Sequence, residues 1–401
     1  MMIENEFQGN VYLFIPCWIS DQINTLEIVR ILSDSEEDED DYINEVNKHF
    51  KYELKPHVSL DIQRYRIGGY DILCSDPYEI KEDFFSFQYS NIYLTIDTDS
   101  GIGVITISIE DFKGAITQLM DMSSRNEIEL RNRTTNGLER ITDFIRINYN
   151  MNIDGVSRFC LSTSTIVPKE IEPYIFANET YNSYYMGSKL KRSAYAETST
   201  TNVALYDLSD IYVGERTVLR KINNREEMNC TPSLDSDSKL LFIMELIALK
   251  DASITRTNNL LINNISRDRY ITLNSMNEIS KKHSSTMKFW NLNVYQYISA
   301  QSLSNIITDK FMINKSFESY QKNQEFLQHR LNILYALREK WQNEILFMIG
   351  ILVFIFEAMP SIYIFFRYIF NLNEYNLFQP AAYTTGSSTL IILIIIYIRY
   401  K

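Results

Sequence analysis

Glu357 is a lone carboxylate inside a run of apolar residues, Ile345 to Phe366, near the C-terminus. A charged group in such surroundings needs water, a protein interior or a counter-ion, so it is the first candidate for chemistry. Asn343, Gly350, Phe354, Glu357 and Ser361 recur at helical spacing and share one face. On one reading that face lines a pore, with Glu357 attracting cations or closing a gate. On the other, Glu357 pairs within a bundle or lies protonated and silent. A second candidate chemistry is anion binding. Arg216, Arg220, Lys221 and Arg225 fall in one short segment, and Lys189, Lys191 and Arg192 lie near Tyr184, Tyr185 and Tyr195. Cations for a phosphate beside aromatic walls for a base are what a nucleotide site requires. A further basic group is Arg125, Arg131, Arg133, Arg140 and Arg146. The plainer reading of each cluster is a salt-bridged surface.

Catalytic signatures are missing from the sequence. It contains no HExxH, no GxSxG and no P-loop, and Gly101-Ile102-Gly103 is a lone pair in a turn. His49, His57, His283 and His329 are far apart, and the expectation is a protein that is not an enzyme. Cys17, Cys74, Cys160 and Cys230 form no CxxC pair and read as reduced thiols; no metal ligand set is assigned. The net charge of −12 argues against direct nucleic-acid binding. The acidic run Asp34–Asp41 reads as a solvated loop, or else as a divalent-cation sensor or an attractor for cations. The N-terminus lacks the apolar core of a signal peptide.

The elements that would carry these residues follow from composition. Of the 401 residues, those up to 232 hold most of the glycine and proline, and Ser233 to Ile349 holds neither. Short β-branched and aromatic segments, Val11–Pro16, Ile92–Ile96, Val104–Ile109 and Phe159–Val167, read as strands, with a hairpin around Asp97–Gly101. Asp111–Met122 and Asn136–Arg146 read as helices. The expected fold is therefore an α/β cytosolic domain over 1–232, then long helices and a stalk over 233–343. A C-terminal two-helix transmembrane hairpin would occupy 344–401. Its legs are about 345–366 and 381–398, since roughly 20 apolar residues span a bilayer. Arg338, Lys340, Arg399 and Lys401 flank the pair, which would place both ends in the cytoplasm and the chain in the inner membrane. Leu327, Leu331, Leu334, Trp341, Ile345 and Met348 follow 4-3 spacing, broken once by the polar Arg338, the seam of a helix that packs on copies of itself or on neighbouring helices.

A soluble α/β part, a long stalk, two C-terminal apolar segments, a short loop between them and a basic tip resemble the CorA family of magnesium channels. The resemblance implies a homopentamer whose first membrane helix lines the pore. The family's Gly-Met-Asn signature is missing; Asn371-Leu372-Asn373-Glu374-Tyr375 is the nearest candidate for an outer filter, with Asn371, Asn373 and Glu374 as its polar residues. In that respect the chain is similar to the CorA-like effectors of type III CRISPR defence, which answer the nucleotide messenger SAM-AMP. The resemblance implies SAM-AMP as the ligand, a divalent cation such as magnesium as a further one, and self-association in a lipid bilayer. The alternatives are a magnesium transporter with an altered filter and a membrane-anchored scaffold without a pore.

Overall fold

The computed structural model describes residues 7–19, 40–56, 58, 60–74, 87–131, 137–153, 155–169, 171–177, 202–204, 209–223, 232–267, 287–290 and 294–370. Two compact units divide the chain, Met1–Asn323 and Gln324–Lys401.

The first unit is built on a ten-stranded sheet. Its strands are β1 (Phe7–Ile19), β2 (Ile62–Leu73), β3 (Phe87–Asp97), β4 (Ile102–Gly114), β5 (Glu129–Arg131), β6 (Leu138–Arg140), β7 (Met151–Ile153), β8 (Arg158–Thr163), β9 (Ser209–Val213) and β10 (Thr217–Ile222). The order is β6-β5-β2-β3-β4-β1-β8-β10-β9, with β7 paired to the end of β1. All these pairs are antiparallel except β8 with β10. β3 and β4 form a hairpin closed by Asp97–Gly101, where Gly101 supplies the positive φ. The helices are α1 (Asp41–Glu53), α2 (Ile116–Ser124), α3 (Ile141–Tyr149), α4 (Glu172–Ala177), α5 (Leu234–Arg267), α6 (Ile298–Lys310) and α7 (Ile313–Phe370). β4 continues to Gly114, so the helix expected from Asp111 begins only at Ile116; likewise α3 begins at Ile141 rather than Asn136.

Strand alternation gives the sheet two different faces. Val11, Leu13, Ile15 and Cys17 of β1 join Ile92, Leu94 and Ile96 of β3 and Ile105, Ile107 and Ile109 of β4 in one apolar core. Ile116, Leu119 and Met120 of α2, Ile141 and Ile145 of α3, and Ile175 of α4 cover it. The alternate residues, Asn10, Tyr12, Thr95, Thr106, Ser108 and Ser162, make a face that is buried yet polar. α5 lies across β1, β4 and β8, and α1 packs on α5. Burial on both faces explains why β1 reads as an almost unbroken apolar run.

Asp40, inside the acidic run, is not simply solvated. It caps α1 by accepting from the backbone of Tyr42 and Ile43, and Tyr93 Oη donates to it at 3.2 Å. Residues 34–39 of the run lie outside the described residues. Cys17, Cys74 and Cys160 are buried and unpaired, and burial pushes the Cys74 thiol up to about 12. Cys230 lies outside the described residues.

Long helices do form in the breaker-free region: α5, of 34 residues, lies within it, and α7, of 58, begins in it and runs beyond its end at Ile349. α7 starts in the first unit, continues through Pro360 and makes up the described part of the second unit. The expected transmembrane hairpin is corrected here. Among the described residues no helix is long and apolar enough to cross a membrane. Along α7 the apolar residues are interspersed with Asn343, Glu344, Glu357 and Ser361, and the second leg, 381–398, lies outside the described residues. The placement of the chain in the inner membrane as a multi-pass protein rested on that hairpin, and it is withdrawn with it.

Candidate functional site

Beneath α5, three buried carboxylates each meet an arginine from a different strand. Asp237, Glu245 and Asp251 are all less than 5% exposed. Fully buried acids are rare unless they are paired, because desolvation of a lone charge is prohibitive. Each of these is paired.

Glu245 is the centre of the array. Arg64 of β2 donates through Nε to Oε2 at 2.8 Å, and its Nη2 lies 2.7 Å from the same oxygen. Tyr42 Oη and Thr95 Oγ1 donate to Oε1 at 2.8 and 3.2 Å. Arg64 also donates to Asn47 Oδ1 at 2.6 Å and sits 5.3 Å from the centre of the Phe50 ring. The Tyr42 ring stacks on Tyr93 at 4.3 Å. Burial, reinforced by the Glu245 charge, raises the Tyr42 hydroxyl well above its ordinary range, so it stays a donor.

Asp237 stands in the first turn of α5, where the helix dipole favours an anion. Arg220 Nη1 of β10 donates to Oδ1 at 2.5 Å; Tyr12 Oη and Asn10 Nδ2 donate to Oδ2 at 3.2 and 3.4 Å. Burial raises the Asp237 carboxyl, and the Arg220 charge opposes that rise. Asp251 accepts from Arg158 Nη2 of β8 at 3.1 Å. Its carboxyl too is raised by burial and held back by its arginine.

These contacts place the sequence-derived ligand residues. Arg220 is committed to Asp237. Lys221 is committed to Glu172 at 3.0 Å and lies 5.0 Å from the Tyr212 ring centre. Arg216 is half-buried and donates to Ser124 Oγ at 3.2 Å. Arg220 is therefore tied to a buried carboxylate and Lys221 to a half-buried one, while Lys189, Lys191, Arg192 and Arg225 lie outside the described residues. In the other basic group, Arg125 pairs with Asp121 and Glu127 and Arg146 with Asp143. Of the residues assigned to a pore face, Asn343, Gly350, Phe354 and Glu357 are exposed on α7. Nothing lies within 4 Å of where a Gly350 Cβ would stand. The Ser361 side chain and the filter residues Asn371, Asn373 and Glu374 lie outside the described residues. Among the described residues no group of three or more His, Cys, Asp or Glu is placed to hold a metal.

One arrangement has the composition of a hydrolase triad. His49 Nε2 lies 2.8 Å from Ser238 Oγ, and its Nδ1 is 3.9 Å from Glu53 Oε1. The chemistry does not follow. Ser238 is fully buried, and its hydroxyl donates to the Asp235 carbonyl at 2.7 Å, so His49 is the donor toward it. Glu53 is shared with Lys239 at 3.0 Å. His49 thus ties α1 to α5, as the neutral ring. Burial lowers its pKa below the ordinary 6.5. A depressed histidine contributes stability that is complete above its unfolded value and is lost as pH falls through the folded value. The urea midpoint is therefore expected to drop between pH 7.5 and pH 5, and His49→Gln should flatten that part of the profile. An unchanged slope in the variant would assign the acid lability elsewhere.

The acids of α5 escaped the sequence reading because α5 lacks a clean amphipathic stripe: Glu245 and Asp251 sit within Leu240–Ile254 among apolar residues. A usable signal was present. Charges recurring inside an apolar helical run mark either a buried pair or a functional group.

No family model, curated protein or solved structure matches the chain.

Proposed function

We propose that the chain is a non-catalytic, self-assembling regulatory protein, in which the first unit receives a signal and α7 is the assembly helix. The observation that carries this reading is the apolar exposure of α7. Leu346, Phe347, Ile349, Val353, Phe354, Phe365 and Tyr368 are each at least half exposed in the single chain. A helix that is apolar on several sides is stable in water only when neighbours cover it. Copies of the same helix meet that need most simply, and the 4-3 spacing of the preceding residues fits such packing. Sedimentation of the full chain tests this arm.

The signal is proposed to be a nucleotide messenger of the SAM-AMP class, which the CorA-like resemblance implies. Since Arg220 pairs with the buried Asp237 and Lys221 with the half-buried Glu172, its phosphates would meet Arg216 and, outside the described residues, Lys189, Lys191, Arg192 and Arg225. The same two ion pairs favour a second reading, a scaffold that assembles without a ligand. Calorimetry separates the two. Saturable binding of SAM-AMP, with ATP and cyclic oligoadenylates silent, is the expected result. No heat from any of them, in a correctly folded assembly, would leave the scaffold.

A further inference from the structure

Arg158 begins β8 and is only 5% exposed. Its guanidinium touches three separate elements. Nη1 donates to the Glu215 carbonyl in the β9–β10 turn at 3.0 Å. Nη2 donates both to Asp251 of α5, at 3.1 Å, and to the Phe311 carbonyl, at 3.2 Å. The Phe311 ring lies under it, 4.7 Å from ring centre to guanidinium carbon.

Phe311 is the C-cap of α6, and α7 starts two residues later at Ile313. The carbonyls at a helix end have no partner within the helix, and Arg158 satisfies this one. Between the helices, Met312 adopts a φ of 58°, a conformation that usually falls to glycine. The corner is thus strained and is held by its surroundings. The first turns of α7 also pack within the first unit. Ile313 and Tyr320 are buried, Trp290 packs on Phe317 and Tyr320 at 5.5 and 4.7 Å, and Asn323 Nδ2 donates to Asn258 Oδ1 of α5 at 2.7 Å.

We infer that Arg158 is a coupling residue that makes the β9–β10 turn, α5 and the root of α7 shift together. The turn is the one that carries Arg216, whose carbonyl accepts from Phe159 N at 2.8 Å. A displacement there reaches Arg158 directly, and through it the strained corner. A planar fork spreads its donors over separate nitrogens and stacks on an aromatic face, so it reaches these partners together; a lysine carries its three donors on one nitrogen and lacks the plane. The inference deepens the proposed regulatory reading, since it names the route by which the first unit would act on the assembly helix.

Amide hydrogen exchange on the full chain tests it. In Arg158→Lys, exchange over Phe311–Tyr320 is expected to rise roughly tenfold while the middle of α5, Leu241–Leu249, stays protected. Phe311→Leu keeps the carbonyl and the Arg158–Asp251 pair but removes the ring. It should raise the same segment by a smaller factor, and it decides the matter if the lysine variant does not fold. Unchanged exchange at the corner, or a uniform rise over α5 and the sheet, would overturn the inference. The measurement reads the first unit within the intact chain, so it stands or falls apart from self-assembly.

Discussion

Replacing Glu245 by alanine is expected to destabilise the first unit by about 3–5 kcal/mol, the range for breaking a buried ion pair from one side. The large size comes from what is left behind. Arg64 has a side chain only 1% exposed, and it would keep its charge without a counter-ion. Tyr42 and Thr95 would lose their acceptor in the same stroke, and each orphaned donor adds to the cost. Glu245→Gln should cost less, because it keeps an acceptor for the two hydroxyls. The double variant Glu245→Met, Arg64→Met removes both charges and should recover much of the loss. Urea denaturation of the three variants measures the series. If the single alanine variant unfolded at the wild-type midpoint, the array under α5 would not be holding the helix to the sheet.

The second large effect is expected on assembly. Phe347 and Phe354 are seven residues apart on α7, on one face, and each is 69% exposed in the single chain. If copies of α7 cover that face, the double variant Phe347→Glu, Phe354→Glu places clustered like charges in the contact. Burying an unpaired carboxylate is prohibitive, so the assembly should dissociate to monomers. The first unit should keep its stability, because neither residue lies within it. A variant that assembles as well as the parent would place the contact elsewhere. Measured together, the two sets of variants separate folding of the body from association of the helix.

How much of this could be read from the sequence depends on what each residue's neighbours do. The hairpin of β3 and β4 was visible because its strands are β-branched runs around Asp97–Gly101, a local signal. Long helices in α5 and in α7 as far as Ile349 are legible because no glycine or proline interrupts Ser233 to Ile349; the run of α7 on through Gly350 and Pro360 is not. The pairing of β1 with β8, and of β8 with β10, was not, since it joins segments far apart in the chain. The ion pairs suffered most. Arg220 reads as part of a basic cluster because Lys221 and Arg216 are its neighbours in sequence. In space its neighbour is Asp237, and that single contact converts a candidate phosphate ligand into a structural tie. Arg158 gave no signal, since a lone arginine at a strand start is ordinary until the α6–α7 corner is placed against it. The apolar run of Ile345–Phe366 was legible as apolar, but an apolar helix surface does not state what covers it. That surface alone suggests a transmembrane hairpin, which is not supported among the described residues.

The most direct test of the central claim is sedimentation equilibrium of the purified full chain without lipid, over a wide range of protein concentration. Self-assembly through α7 predicts a mass that is a whole multiple of 47.2 kDa and that falls toward the single chain on dilution. Monomers at every concentration, with the first unit folded, would contradict it. So would a chain that associates with lipid vesicles and not with itself.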